Sequence, residues 1–219
     1  LDIGDPDFGT PAHIVEAVAR AAADGFTHYC ASTGLPTLRA LVAENVQARH
    51  GRSTTPEEVV LTVGGAGAIS CALLAVVDDG DDVLLPDPSW ANMVPMVMAA
   101  NARPVFYPLD RERGFEPDLD ALAAAIGPRT RAIVLNSPGN PTGAVFSRET
   151  MQRVGEIAAE AGAWLISDEC YDRLVLDGEH VPATAVADPA GVVTILSFSK
   201  TYAMTGWRIG YAAGPSELI

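Results

Sequence analysis

The sequence predicts an α/β fold, a mostly parallel seven-stranded sheet covered by helices on both faces. Short β-branched runs alternate with longer, alanine-rich stretches of helical period, the pattern of repeated β–α–β units. A chain of 219 residues with 48% hydrophobic content is long enough for one sizeable core of this kind.

Two helices are expected first, over PAHIVEAVARAAADG (11–25) and LPTLRALVAENVQARHG (35–51). The first strand is EVVLTV (58–63), and GAGAISCALLAVV (65–77) follows it as a helix. DVLLP (82–86) and RPVFYP (103–108) read as strands, then DLDALAAAI (118–126) as a helix and RAIVLN (131–136) as a strand. SRETMQRVGEIAAEAG (147–162) has helical period and opens on Ser147, whose hydroxyl suits an N-cap. AWLISD (163–168), VVTILS (192–197) and RIGYAA (208–213) complete the strands. No internal repeat, linker or low-complexity tract interrupts the series.

Charge narrows the range of partners. A formal net charge of −14 and an isoelectric point near 4.5 disfavour a nucleic-acid backbone or an anionic membrane surface, both of which would repel the chain. Three cysteines, Cys30, Cys71 and Cys170, are odd in number and widely spaced, which predicts neither a disulfide framework nor a zinc site and fits a reducing compartment. No apolar run reaches the roughly 18 residues needed to span a bilayer, and LDIGDPDFGT lacks a signal pattern, so a cytoplasmic protein is expected. The sequence opens on Leu1 rather than methionine and stops at GPSELI where a further element begins, so a longer parent protein is expected.

In an open sheet of this type, ligands gather at the carboxyl ends of the strands, so the residues just after each strand are the ones to question. Gly64 and Gly65 lie between the first strand and its helix, where glycines let backbone N–H groups approach an anion; taken alone, a tight strand-to-helix turn explains them better. Their spacing matches neither the P-loop nor the dinucleotide fingerprint. Trp90, in PDPSWANM, offers an indole for stacking on a flat ring or is an ordinary half-buried tryptophan. Asn140, in NSPGNPTG, offers an amide to a ligand oxygen, though Asn-Pro is also a turn formula. Asp168, in SDECYDRL, either caps a helix or pairs with a protonated ring nitrogen while the phenol of Tyr171 reaches a ring hydroxyl.

Lys200 follows the sixth strand, in SFSKTYAMTGWRIGY. A single lysine is ordinarily a solvated surface group, yet this one is flanked by groups that all suit one cofactor. An amine that forms a Schiff base needs a neutral nitrogen, which a nearby cation such as Arg208 favours. Ser197, Ser199 and Arg208 can bind the same phosphate as the glycine turn, with arginine supplying a planar fork for two oxygens.

Taken together, GDPDFGTP, YCASTGLPTLR, PSW, NSPGNPTG, DECYDRL and SFSKTYAMTGWRIGY resemble, in that order and over practically the whole chain, the class I/II pyridoxal-phosphate aminotransferases of the aspartate aminotransferase fold, fold type I. The resemblance implies pyridoxal 5'-phosphate as cofactor, with Lys200 as the Schiff-base lysine and proton shuttle and Asp168 as partner of the pyridine nitrogen. It further implies that Asn140 and Tyr171 bond the 3-hydroxyl oxygen, and that Trp90 stacks on the ring. Gly65, Ala66, Ser197, Ser199 and Arg208 would hold the phosphate. Tyr29 would reach the phosphate of a neighbouring subunit, implying a homodimer with shared active sites, and Gly4 would lie near the substrate carboxylate, beside Trp90 and Asn140.

Two departures stand out. Ala66 occupies a position where many relatives carry Ser, Thr or Lys, so it offers the phosphate only its backbone N–H. The arginine that pairs with the substrate carboxylate has no counterpart here, which places the small C-terminal domain outside the sequence. By this reading, residues 1–28 are an N-terminal arm and connecting helix, and 29–219 are the large cofactor-binding domain, cut at its C-terminal end. The implied reaction moves an amino group from an amino acid to a 2-oxo acid by a ping-pong route. Alternatives with the same cofactor are a carbon–sulfur lyase and a non-catalytic, cofactor-sensing regulator domain.

Overall fold

The computed structural model describes residues 4–219. It opens with two helices, α1 (Ala12–Ala23) and α2 (Pro36–His50), followed by β1 (Val59–Val63) and α3 (Gly64–Val76). Next come β2 (Asp82–Asp87), α4 (Met93–Ala99), β3 (Arg103–Asp110), β4 (Glu116–Pro117) and α5 (Leu119–Ala125). The last part holds β5 (Thr130–Asn136), α6 (Arg148–Ala161), β6 (Trp164–Asp168), β7 (Val192–Ser197), α7 (Phe198–Thr201) and β8 (Ile209–Ala213).

All seven expected strands form, and the sheet contains an eighth, in the order β1-β8-β7-β6-β5-β2-β3-β4. The addition is β4, which pairs only Glu116 and Pro117 with the end of β3 and is too short to carry a periodicity. The middle run from β7 to β3 is parallel, whereas β8 runs antiparallel between β7 and β1 at one edge and β4 antiparallel to β3 at the other, so the sheet is mixed. Helix α4 was not among the expected helices, and it contains Pro95. The proline sits in the first turn, where its missing N–H has no helical partner to lose. Ser147 caps α6 as expected, its hydroxyl accepting from the Thr150 N–H at 3.2 Å.

Alternation along the strands divides the core between the two faces. Val83, Leu85, Ala132, Val134, Ile166 and Ile195 pack beneath α3 and α4. Leu84, Ile133, Leu135 and Leu165 face the opposite way, against α5 and α6. Helix α2 covers that second face farther along, burying Val42, Ala43 and Val46 against Val59, Leu196 and Tyr211. No helix among the described residues is long and apolar enough to cross a membrane.

The antiparallel edge positions the site. Pairing of Val63 with Ile209, and of Ser197 with Gly210, brings the start of β8 beside the end of β1 and the end of β7. The fit there is close: a Cβ added to Gly210 would lie 2.5 Å from the Gly64 carbonyl carbon and 2.7 Å from the Gly65 nitrogen. Backbone cannot yield as a flexible side chain can. Gly210→Ala is therefore expected to destabilise the protein by about 3 kcal/mol or more, measured by denaturant unfolding. A loss under about 0.5 kcal/mol would show that the edge relaxes freely.

Candidate active site

Strands β5, β6 and β7 are neighbours, and each delivers its functional group from its carboxyl end. In register, Asn136 of β5 stands beside Asp168 of β6, which in turn stands beside Ile195 of β7. The side chain of Asn136, which sequence reasoning passed over, ties two of these strand ends together. Its Nδ2 donates to the Asp168 carbonyl at 3.1 Å, and its Oδ1 accepts from the Asn140 N–H at 2.6 Å. That bond orients Asn140, whose Nδ2 donates toward the Tyr171 hydroxyl at 3.4 Å. Asn140 and Tyr171, singled out from separate motifs, thus converge.

Asp168 is buried, and no helix follows it to be capped. Its Oδ1 accepts from the Cys170 N–H at 3.2 Å. Burial pushes its carboxyl up to about 6, against the lowering effect of the Cys170 bonds and with a further rise from Glu169. No cationic side chain among the described residues pairs with it within ion-pair distance. Burial likewise raises the Tyr171 phenol, with Asp168 and Cys170 adding to it and the Asn140 bond opposing it. The Cys170 thiol, pushed up by burial first and Asp168 second, stays protonated.

Lys200 lies in the single turn of α7, which begins where the Ser197 hydroxyl accepts the Ser199 N–H at 3.1 Å. Its Nζ donates to the Gly4 carbonyl and lies 6.0 Å from the centre of the Tyr171 ring. The N-terminal segment is fastened over this region. Thr10 Oγ1 accepts from the Trp207 indole at 2.9 Å, and Thr205 donates to Asp5 at 2.7 Å.

Beside the lysine is a cradle built from glycine and arginine. Gly64 has φ +69, and a Cβ on it would lie 2.6 Å from a terminal nitrogen of Arg208. Arg208 itself is held at φ 53, a left-handed conformation that costs a non-glycine residue roughly 1–2 kcal/mol. The guanidinium also donates to the Thr205 carbonyl at 2.6 Å. A Cβ on Gly65 would meet the Cys170 sulfur at 2.6 Å, so the first turn of α3 rests directly on the Asp168 turn. Ala66 follows in that turn, half-buried.

Of the remaining predicted residues, Trp90 is half-buried and packs on the core beneath α3 and α4. Ser197 donates weakly to the Ile209 carbonyl at 3.4 Å, and Ser199 is buried. Tyr29 is fully exposed, and the structure does not bring it to the cluster. Sequence reasoning missed Asn136 and Cys170; a polar residue ending a strand of apolar neighbours was the available signal for the first.

With these positions established, likeness to known proteins becomes informative. The profile of the family described as "Aminotransferase class I and II" matches residues 1–219. The chain belongs to the class I and II aminotransferase family. It is 44% identical to the aspartate/prephenate aminotransferase of Thermus thermophilus over 219 residues, all of this chain and 57% of that protein. It is 40% identical to an arginine–pyruvate transaminase of Pseudomonas aeruginosa, again over its full length and 56% of the relative's. Among solved structures, Thermus thermophilus aspartate aminotransferase with maleate superposes with a TM-score of 0.96 at 44% identity, covering 99% of this chain and 56% of the other. The chain thus spans a little over half the length of these class I and II aminotransferases.

Proposed function

We propose that the full-length protein is a pyridoxal-phosphate-dependent aminotransferase that moves an amino group from an amino acid to a 2-oxo acid by a ping-pong route. One observation carries the reading: Lys200, the Asn140–Tyr171 pair, buried Asp168 and the Gly64–Arg208 cradle meet at neighbouring strand ends. The residues fit the cofactor. Because Gly64 and Gly65 carry no Cβ, the start of α3 packs directly against the Arg208 guanidinium and the Cys170 sulfur, which sets a helix N-terminus beside a guanidinium, both suited to phosphate. Asp168 is a buried carboxyl without a cation, which a protonated ring nitrogen would supply.

When bound, pyridoxal phosphate contributes an aldehyde that condenses with amines and a protonated ring that accepts the electron pair left by α-proton removal. Asp168 would pair with the ring nitrogen and keep a proton there. Asn140 and Tyr171 would offer two polar groups to one ring oxygen. Lys200 Nζ, on a short turn, would supply the amine that holds the cofactor and the base that moves a proton at the substrate α-carbon. Arg208 and the α3 N-terminus hold the phosphate, with Ala66 giving only its N–H and Ser197 and Ser199 flanking it. Gly4, whose carbonyl meets Lys200 Nζ, would lie near the substrate carboxylate, and Trp90, Asn140 and the cofactor ring would complete that side of the site. Exposed Tyr29 fits a homodimer in which it reaches the neighbouring site, and a cytoplasmic location completes the reading.

Relatives named for aspartate/prephenate and for arginine–pyruvate agree with the amino-acid and 2-oxo-acid class without choosing a member of it. The test is product stoichiometry. Mixed with an amino acid and no acceptor, the full-length protein is expected to stop after one turnover, leaving one equivalent of 2-oxo acid and the cofactor in its amine form. A 2-oxo acid should then restore the starting spectrum. Continuous ammonia release from a substrate with a β-leaving group would select the carbon–sulfur lyase. Cofactor uptake without conversion of any amino acid would select the regulator.

A further inference from the structure

Along β6 the side chains alternate, so Asp168 turns toward α3 while Ser167 and Glu169 turn to the opposite face of the sheet. Glu169 has no solvent exposure, yet it remains charged. Burial opposes its ionisation, but the bond from His180, the charges of His50 and His180 and the Ala183 N–H leave its carboxyl below the usual range. Its carboxylate accepts from Ser167 Oγ at 2.9 Å and from the Ala183 N–H at 3.0 Å, and meets His180 Nε2 at 2.9 Å. His50, the last residue of α2, brings Nε2 to 3.8 Å. Three residues along, Asp172 ion-pairs with Arg49 of the same helix end, and its N–H donates to the Glu169 carbonyl at 3.0 Å.

The turn carrying Asp168 and Tyr171 is therefore held from the face opposite the cofactor cradle, by the end of α2 and by residues 180–183. A buried ionised carboxylate is a costly way to gain stability, since an apolar side chain of similar size fills such a space as well or better. Its geometric effect is specific. The bonds fix the backbone on both sides of Asp168, from Ser167 to Asp172.

We propose that Glu169 is a positioning residue which, clamped by His180 and Ala183, sets the angle at which Asp168 and Tyr171 are presented to the cofactor. The inference rests on the pyridoxal-phosphate reading above. The titratable and charged groups facing Glu169 are Arg49 and His50 from α2, His180 from its loop and Asp168 on its own strand, so position and charge must be separated experimentally.

Four variants of the full-length protein achieve that: Glu169→Gln, His180→Ala, His180→Gln and the double variant Glu169→Gln/His180→Ala. The glutamine at 180 keeps a neutral donor where Nε2 stands. The readouts are cofactor uptake, the pH titration of visible absorption of the loaded, resting protein, and kcat against KM. A positioning role predicts that Glu169→Gln and His180→Ala displace the titration in the same direction and lower kcat on the order of tenfold, with KM changed by less than about twofold. His180→Gln should recover most of both, and Glu169→Gln/His180→Ala should be no worse than its weaker parent. Displacements of opposite sign would mean that only charge acts and would overturn the proposal. So would a lowered Tm with titration and kcat unchanged. If Glu169→Gln does not fold, the two His180 variants decide the matter, because loss with alanine and recovery with glutamine is required. A wild-type protein that takes up no cofactor would instead overturn the functional reading, before any variant is made.

Discussion

Replacing Lys200 by alanine in the full-length protein is expected to lower transamination by about 10⁴-fold or more, because on the proposed reading a single amine would both hold the cofactor covalently and move the proton at the substrate α-carbon. Nothing else in the vicinity can substitute. The described partner of Nζ is a carbonyl, that of Gly4, and the neighbouring cation, Arg208, is engaged with the Thr205 carbonyl and the Gly64 turn. Folding should be little affected, since Lys200 lies in one exposed-edge turn whose start is set by Ser197 rather than by the lysine. Cofactor should still be retained through the phosphate cradle, without a covalent bond. Borohydride reduction of the full-length protein, followed by peptide mass mapping, checks this directly. The label should fall on the peptide containing SFSK in the wild type and on no peptide in the variant. Labelling elsewhere, or activity within tenfold of wild type, would remove Lys200 from its role.

How much of this could be read in advance depended on how local each feature is. The seven longer strands were legible because their β-branched runs are bounded by turns, and the helix over 148–161 because its period and its Ser147 cap agree. Helix α4 was hidden by Pro95, whose harmless place in the first turn is known only once the start of the helix is known. The rule that ligands gather at strand ends singled out Asn140, Asp168, Tyr171 and Lys200, since each ends or closely follows a strand in sequence. Features that depend on register were not legible. Arg208 and the glycine turn were expected to share a phosphate, but that the guanidinium abuts Gly64 itself, and that Cys170 closes on Gly65, depends on how the strands are paired, and no local pattern contains that information. Glu169 shows the same limit: its partners His50 and His180 lie on other elements, and the alternation that turns it away from Asp168 was present in SDEC but had no visible target.

Asp168→Asn should separate what this carboxylate does for catalysis from what it costs the fold. An amide cannot hold a proton on the ring nitrogen by charge, so single-turnover α-proton removal is expected to slow by about 10²-fold. The cofactor-free protein should respond in the opposite sense. Burial raises the carboxyl from 3.8 to about 6, so the folded state binds the extra proton between those two values and the unfolded state does not. Stability contributed by this group is therefore full below about pH 4 and is lost as pH rises toward and beyond 6. At pH 8 the wild type carries a buried anion without a cation, a penalty on the order of 1–3 kcal/mol that the neutral asparagine avoids. Urea unfolding of both full-length proteins, stripped of cofactor, should show the variant more stable at pH 8, with the difference shrinking toward zero near pH 4. Cofactor should reverse the order at pH 8, because a protonated ring nitrogen paired with Asp168 would stabilise only the charged carboxylate. A variant no more stable than wild type at pH 8, or as fast in α-proton removal, would mean that the carboxylate already has a partner and that a ring nitrogen is not what it is held for.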